Sequence, residues 1–346
     1  MEFPTQSSPY LPPRNDVGRL MLTVILALIP GALCLMWFFG WGILFNLVIA
    51  TATAVAGEAL VLRLRHRPVR RTLMDGSAVL TGLLLGLALP PLAPWWIPVV
   101  GALFAIVVAK HLYGGLGYNP FNPAMVGFVV LIVSFPLQMT QWSAPAGMGQ
   151  ESLSFTETFR MTMLETLPAD TPVDTVTMAT PLDRAKSDLS QDLTWTEIQS
   201  NPLFGSFGGR GWQWINVAFL LGGLILLQQR AIAWQIPAGM LGALFLISLF
   251  FYIGDSDSFA SPAFHLFSGA SMLGAFFIAT DPISAATTPR GRLYFGAGIG
   301  VLIYIIRTWG GYPDGVAFGV LLMNMAAPTI DYYTRPRVFG HAKSDE

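Results

Sequence analysis

Residues 77–90 read SAVLTGLLLGLALP, and residues 269–282 read GASMLGAFFIATDP. Each stretch is apolar, carries a glycine at its sixth place (Gly82, Gly274) and ends in proline (Pro90, Pro282), at a constant offset of 192. Farther along, Gly114-Gly115 answers to Gly310-Gly311 at an offset of 196. The first stretch amounts to about 21 Å of helix at about 1.5 Å per residue. That is too short for a hydrocarbon core of about 30 Å. Short, Gly/Pro-interrupted segments at matching places in two halves of a chain predict an internal repeat with a central binding site. Tilted or re-entrant helices that only pack are the alternative.

Working outward, ten hydrophobic segments appear: 20–39, 42–62, 77–90, 95–112, 123–139, 213–229, 232–253, 262–279, 292–307 and 315–331. Five segments per half is an odd number, so the second half must be inverted in the membrane. The expected fold is an all-α polytopic membrane protein of about ten transmembrane helices in two inverted five-helix repeats. Composition agrees. Of the 346 residues, 53% are hydrophobic and 11% charged, against about 25% charged in a soluble protein. A soluble enzyme and a disordered chain are excluded. A net charge of −1 gives nucleic acid nothing to attract. The single cysteine, Cys34, rules out a disulfide framework, an iron–sulfur cluster and a zinc-thiolate site. Met1 to Asp16 lacks the features of a cleaved signal peptide.

The expected organisation is an N-terminal arm (1–19), a first repeat (20–139), a polar loop (140–212), a second repeat (213–331) and a tail (332–346). The loop carries nine acidic and four basic residues, and a loop of that length is uncommon without function. Orientation follows from Lys and Arg. With both termini in the cytoplasm of a bacterial cell, 14 of the 19 basic residues face inside. Four of the other five lie in the long loop, which is then outside, and Arg307 sits at an outer helix end. Nine of the ten tryptophans fall near segment ends, the expected interfacial belt.

Three groups of residues could carry chemistry. Asp174-Thr175-Val176-Thr177-Met178-Ala179-Thr180 lies in the long loop; by composition alone it is a polar turn. Lys110 to Pro123 joins the fourth and fifth segments, and its glycines and prolines prevent continuous helix. Asn119 and Asn122 there can each donate and accept hydrogen bonds, which suits a cavity for a flat polar heterocycle or an ordinary turn. Glu58 lies within the second segment, and an intramembrane carboxylate is a candidate for an ion pathway. Asp281, beside Arg290 and Arg292, is a second ion-pathway candidate or a cap. Asp255, Asp257 and Asp314 read as outer loop residues, and His111 and His265 as interfacial or packing residues. No residue is read as catalytic, and none as a metal ligand.

The loop string resembles the acceptor site of flavin transferases, Asp-x-x-Ser/Thr-Gly-Ala-Thr. Asp174, Thr177, Ala179 and Thr180 match, and Met178 stands where glycine is usual. A ten-segment chain with that string after the fifth segment resembles the RnfD/NqrB family along essentially its whole length. Pro9 to Arg14, Arg71 to Ala78, Gly114 to Ala124 and Ala279 to Pro282 carry the likeness. The short N-terminal arm resembles the RnfD branch more than the NqrB branch. The resemblance implies FMN esterified to Thr180 and a noncovalent riboflavin near Asn119 and Asn122. It implies an inner-membrane, flavin-carrying subunit of an Rnf-type NADH:ferredoxin oxidoreductase, inactive alone, that relays electrons across the membrane coupled to H+ or Na+ movement. Its partners would be the other Rnf subunits, a second FMN-bearing subunit among them, with a flavin transferase for maturation. The absence of a Gly-x-Gly-x-x-Gly loop fits a relay subunit that does not dock NADH. An NqrB-type quinone-reductase subunit and a non-redox transporter with inverted repeats are the alternatives.

Overall fold

The computed structural model describes residues 17–148, 153–166 and 177–336. Asp174, most of the N-terminal arm and the end of the tail lie outside the described residues.

The described residues are mostly helical, with almost no strand. Val17–Phe39, Gly42–Leu64 and Gln235–Gly254 are each long and apolar enough to cross a membrane. Ser77–Ala88, Trp96–His111, Pro123–Ser134 and Trp212–Gln228 are shorter apolar helices. Pro289–Trp309 and Val316–Thr334 complete the set at 21 and 19 residues. Val17–Phe39 packs along Trp212–Gln228, Gly42–Leu64 along Ser77–Ala88, and Gln235–Gly254 along Pro289–Trp309. Pro123–Ser134 meets Val316–Thr334, so each half contributes to one shared core.

Glycines set the closest of these approaches. A Cβ on Gly82 would stand 2.5 Å from the Thr51 Cα, and one on Gly86 2.9 Å from the Leu47 Cα. The Gly-x-x-x-Gly spacing therefore lets Ser77–Ala88 lie against the backbone of Gly42–Leu64.

Both short segments are broken helices with identifiable causes. Ser77–Ala88 starts where Asp75 Oδ1 accepts the Ser77 N–H at 2.8 Å. It ends at Leu89, which is extended (ψ 148°) because it precedes Pro90. The segment read as 262–279 is interrupted inside as well as at its end. Pro262–Phe267 stops at the extended Ser268, Gly269 takes φ +60°, and helix resumes over Ser271–Leu273 into a π-helical turn, Gly274–Ile278. A second π-helical stretch, Phe104–His111, ends the fourth segment. The fifth is divided at Phe135-Pro136 into Pro123–Ser134 and Pro136–Thr140.

The long loop is itself folded. Leu182, Ala185, Trp195, Ile198, Leu203 and Phe204 form a small core with Ala260 and Phe264. Its one ladder among the described residues pairs Trp142–Ser143 antiparallel with Thr177–Met178.

Candidate functional site

Two cavities lie on either side of the broken helices. The first begins at Thr180. The ladder sets Met178 opposite Trp142, which fixes the strand two residues before Thr180. Thr180 then caps the helix Pro181–Leu189, with proline at its first position. The Thr180 hydroxyl donates to Asp183 Oδ2 at 2.5 Å, and the Asp183 N–H donates back to Thr180 Oγ1 at 3.2 Å. Thr180 and Asp183 stand at the edge of an open cavity whose walls include Met125, Trp142, Trp212 and Leu273. Phe39, Trp142 and Trp212 pack against one another edge-on or tilted, with ring centroids 5.0–5.4 Å apart. Trp142 and Trp212 therefore serve the cavity wall and not only a membrane belt. An apolar, aromatic cavity with a few polar groups at one end suits the tricyclic ring of a flavin.

Burial pushes the Asp183 carboxyl above the usual carboxylate range, and the nearby Asp314 adds to that; the bonds from Thr180 oppose it. Lys186, one turn on, is lowered by burial. Its Nζ donates to the carbonyls of Ile306, Gly310 and Tyr312, which ties the Thr180 helix to the end of Pro289–Trp309.

The second cavity is lined among others by Ser77, Lys110, Asn119, Asn122, Thr280 and Asp281. The structure thus brings three sequence candidates, Asn119, Asn122 and Asp281, to one place. It also divides the two asparagines. Asn122 Nδ2 donates to Ile278 O at 3.3 Å, Asn122 Oδ1 accepts from Met125 N, and its backbone N–H donates to Asn324 Oδ1. Asn119 Nδ2 donates to Phe121 O at 3.0 Å, while its buried Oδ1 has no partner. Asn119, and not Asn122, retains an unmet polar atom. Asp281 accepts from Ser284 Oγ at 2.8 Å. Arg292 Nε turns to Ala286 O instead of to Asp281.

Glu58 is fully buried and paired. Lys110 Nζ donates to Glu58 Oε1 at 2.6 Å and to Ser77 Oγ at 2.7 Å, and His111 Nε2 lies 3.1 Å from the same carboxylate oxygen. Both Lys110 and Glu58 are 1% exposed or less. Glu58 Oε2 and His111 Nδ1 are buried without partners. His111 is thus drawn into a charged cluster, which its sequence context did not reveal. The π-helical stretch accounts for it: successive residues advance less around the axis there, so Lys110 and His111 share the buried side. Arg65 and Arg67 fasten the end of this stretch by donating to His111 O and Gly114 O.

Asp314 and Arg307 form the counterpart cluster. Arg307, only 4% exposed, donates to Asp314 Oδ1 at 2.9 Å, to His265 O and to Ser271 Oγ. Asp314 Oδ2 accepts the Ala270 N–H at 2.8 Å. Asp314 is therefore no loop decoration: it holds the break at Ser268–Ala270 in place.

The two cavities are divided by one thickness of protein. Leu87, Met125 and Ile278 face the first, and Leu84, Asn122 and Phe277 face the second, from the same three elements.

Residues 4–340 match the model of the NQR2, RnfD, RnfE family. Curated relatives are similar over nearly their full length. A protein of Aliivibrio salmonicida (strain LFI1238), named as a subunit of an ion-translocating oxidoreductase complex, is 54% identical, covering 99% of this chain and all of that protein. Its namesake in Aeromonas hydrophila is 53% identical over 98% of this chain and 99% of its own. That of Pseudomonas aeruginosa (strain UCBPP-PA14) is 54% identical over 100% and 98%. An all-α fold of apolar helices built on two broken segments, matched to one family model from end to end, identifies this chain as a member of the NQR2, RnfD, RnfE family.

Proposed function

We propose that the chain is the flavin-carrying membrane subunit of an ion-translocating, Rnf-type oxidoreductase complex, inactive alone. In this reading it relays electrons between FMN esterified to Thr180 and a noncovalent riboflavin beside Asn119, coupled to H+ or Na+ movement. The observation that carries it is the pair of cavities, one opening at Thr180 and the other at Asn119, which share three elements as their dividing wall. Flavins supply one-electron chemistry when bound. The residues supply position. The Trp142–Met178 ladder and the Thr180 cap hold the acceptor hydroxyl at the first cavity. Asn119 Oδ1 offers the second cavity a buried acceptor that a ring N–H can meet, and an unmet polar atom costs about 1–3 kcal/mol. The names of the relatives support membership of such a complex, with its other subunits as partners; a second FMN-bearing subunit among them and a flavin transferase for maturation belong to the proposal. Glu58 and Asp281 remain the proposed ion-pathway residues.

The riboflavin site is tested by extraction. Asn119→Leu removes the one unmet acceptor, so noncovalent flavin retained by the purified complex falls, by roughly tenfold in affinity for each 1.4 kcal/mol lost. Asn122→Leu removes a helix cap and reduces thermal stability along with flavin. Equal noncovalent flavin in wild type and the Asn119 variant sinks the assignment.

In this reading the complex sits in the bacterial inner membrane with both termini in the cytoplasm and residues 140–212 outside. Reporter fusions after Gln150 and Ser190 are expected to read periplasmic, and fusions after Arg67, Arg290 and Lys343 cytoplasmic. A cytoplasmic signal from the 140–212 loop would overturn the orientation and the flavin attachment with it.

A further inference from the structure

The loop contains the same reciprocal cap three times among the described residues. Ser154 and Glu157, Thr180 and Asp183, and Thr194 and Glu197 each exchange a side-chain and a backbone hydrogen bond. Two of these are exposed, and there the cap holds the glutamate below its ordinary range. The third differs in kind. Its carboxylate belongs to aspartate, is partly buried at the edge of the first cavity, and is shifted the opposite way. A cap alone needs neither the burial nor the upward shift.

Every neighbour of Asp183 bears on this. Lys186, on the same helix, donates its ammonium to the carbonyls of Ile306, Gly310 and Tyr312; its charge favours the Asp183 carboxylate, but burial outweighs it. Asp314, on the facing segment, is bound to Arg307 and to the Ala270 N–H, and its charge acts against ionisation of Asp183. The result is a carboxylate with raised proton affinity, 2.5 Å from a hydroxyl that points its proton at it.

We propose that Asp183 is the proton acceptor that activates the Thr180 hydroxyl for esterification. This rests on reading Thr180 as the flavin acceptor. The donor is flavin adenine dinucleotide, brought by a transferase. Thr180 Oγ1 bonds to the flavin-side phosphorus, and the bond from that phosphorus to the bridging oxygen breaks. AMP leaves with that oxygen, and the hydroxyl proton passes to Asp183 Oδ2. The dinucleotide carries two negative charges, the threonyl ester one and AMP two, so one proton is released and Asp183 takes it. After esterification Thr180 Oγ1 has no proton to give. A protonated Asp183 then faces the ester without placing a second anion against it.

The test uses the assembled complex purified from cells lacking the transferase, then incubated with purified transferase and flavin adenine dinucleotide. Covalent flavin is followed by in-gel fluorescence and by intact mass. Wild type is labelled on Thr180, and its rate falls at acid pH as Asp183 protonates. Because Asp183 is shifted up, that fall begins at higher pH than for an ordinary carboxylate. Asp183→Asn keeps an oxygen to accept from Thr180, so the complex assembles, yet labelling slows by roughly a hundredfold and the Asp183 limb of the pH profile disappears. Asp183→Glu restores a measurable part of the rate together with an acid limb. A limb shared by all variants belongs to the transferase.

Wild-type rate and pH profile in Asp183→Asn would overturn the inference and leave Thr180 standing. Absence of any label on Thr180 in wild type would instead overturn the reading beneath it. If the Asn chain does not assemble, Asp183→Glu decides: labelling with an acid limb absent from a transferase control on another substrate supports the role, and labelling without one removes it.

Discussion

Thr180→Ala, produced together with a flavin transferase, carries no covalent flavin: the fluorescent band of the denatured subunit vanishes and the intact mass equals that of the bare chain. The effect is all or none because alanine has no hydroxyl to esterify. Loss of the cap costs about 1 kcal/mol, too little to unfold a chain whose loop keeps a separate core around Trp195 and Phe204. Thr180→Ser retains both hydroxyl and cap and takes up flavin. A fluorescent band in the alanine variant would move the attachment elsewhere.

Lys110→Met destabilises the complex by about 3–5 kcal/mol, because it leaves Glu58 as an uncompensated buried charge. The partner is close and dry: 2.6 Å apart, with both side chains 1% exposed or less. His111 compensates only in part, since it too reaches the oxygen that Lys110 occupies and leaves Oε2 unmet. Adding Glu58→Leu removes the stranded charge, so the double variant recovers much of the lost stability. Thermal unfolding of the detergent-solubilised complex, with the yield of assembled complex, reads both outcomes. A Lys110→Met complex that melts with wild type, or a double variant no better than the single, would mean that the pair is not a buried ion pair.

Much of the fold was legible in local signals. Hydrophobic runs and scarce charge set the class. Pro90 marked where a helix ends, since proline acts on the backbone of its immediate neighbour. The string ending at Thr180 marked a candidate hydroxyl, and the structure adds the ladder that pairs Met178 with Trp142 two residues before it. The break at Ser268–Ala270 was missed because its cause is remote: Asp314 and Arg307 hold it from more than thirty-five residues away.

The same distinction separates the two asparagines and the two kinds of carboxylate. Sequence placed Asn119 and Asn122 three residues apart and equal. Only the fold sets Asn324 and Ile278 against Asn122 and leaves Asn119, in the cavity lining, with an unpartnered Oδ1. Sequence also marked Glu58 as an intramembrane charge, but its partners Lys110 and His111 lie 52 and 53 residues on. What the sequence determined by itself was the transfer of apolar segments out of water and the places where backbone sterics end a helix, both properties of a residue and its near neighbours. What the tertiary structure decided was which buried polar atoms meet. A buried charge or amide must find its partner among whatever helices are packed beside it, and that adjacency is a property of the whole bundle.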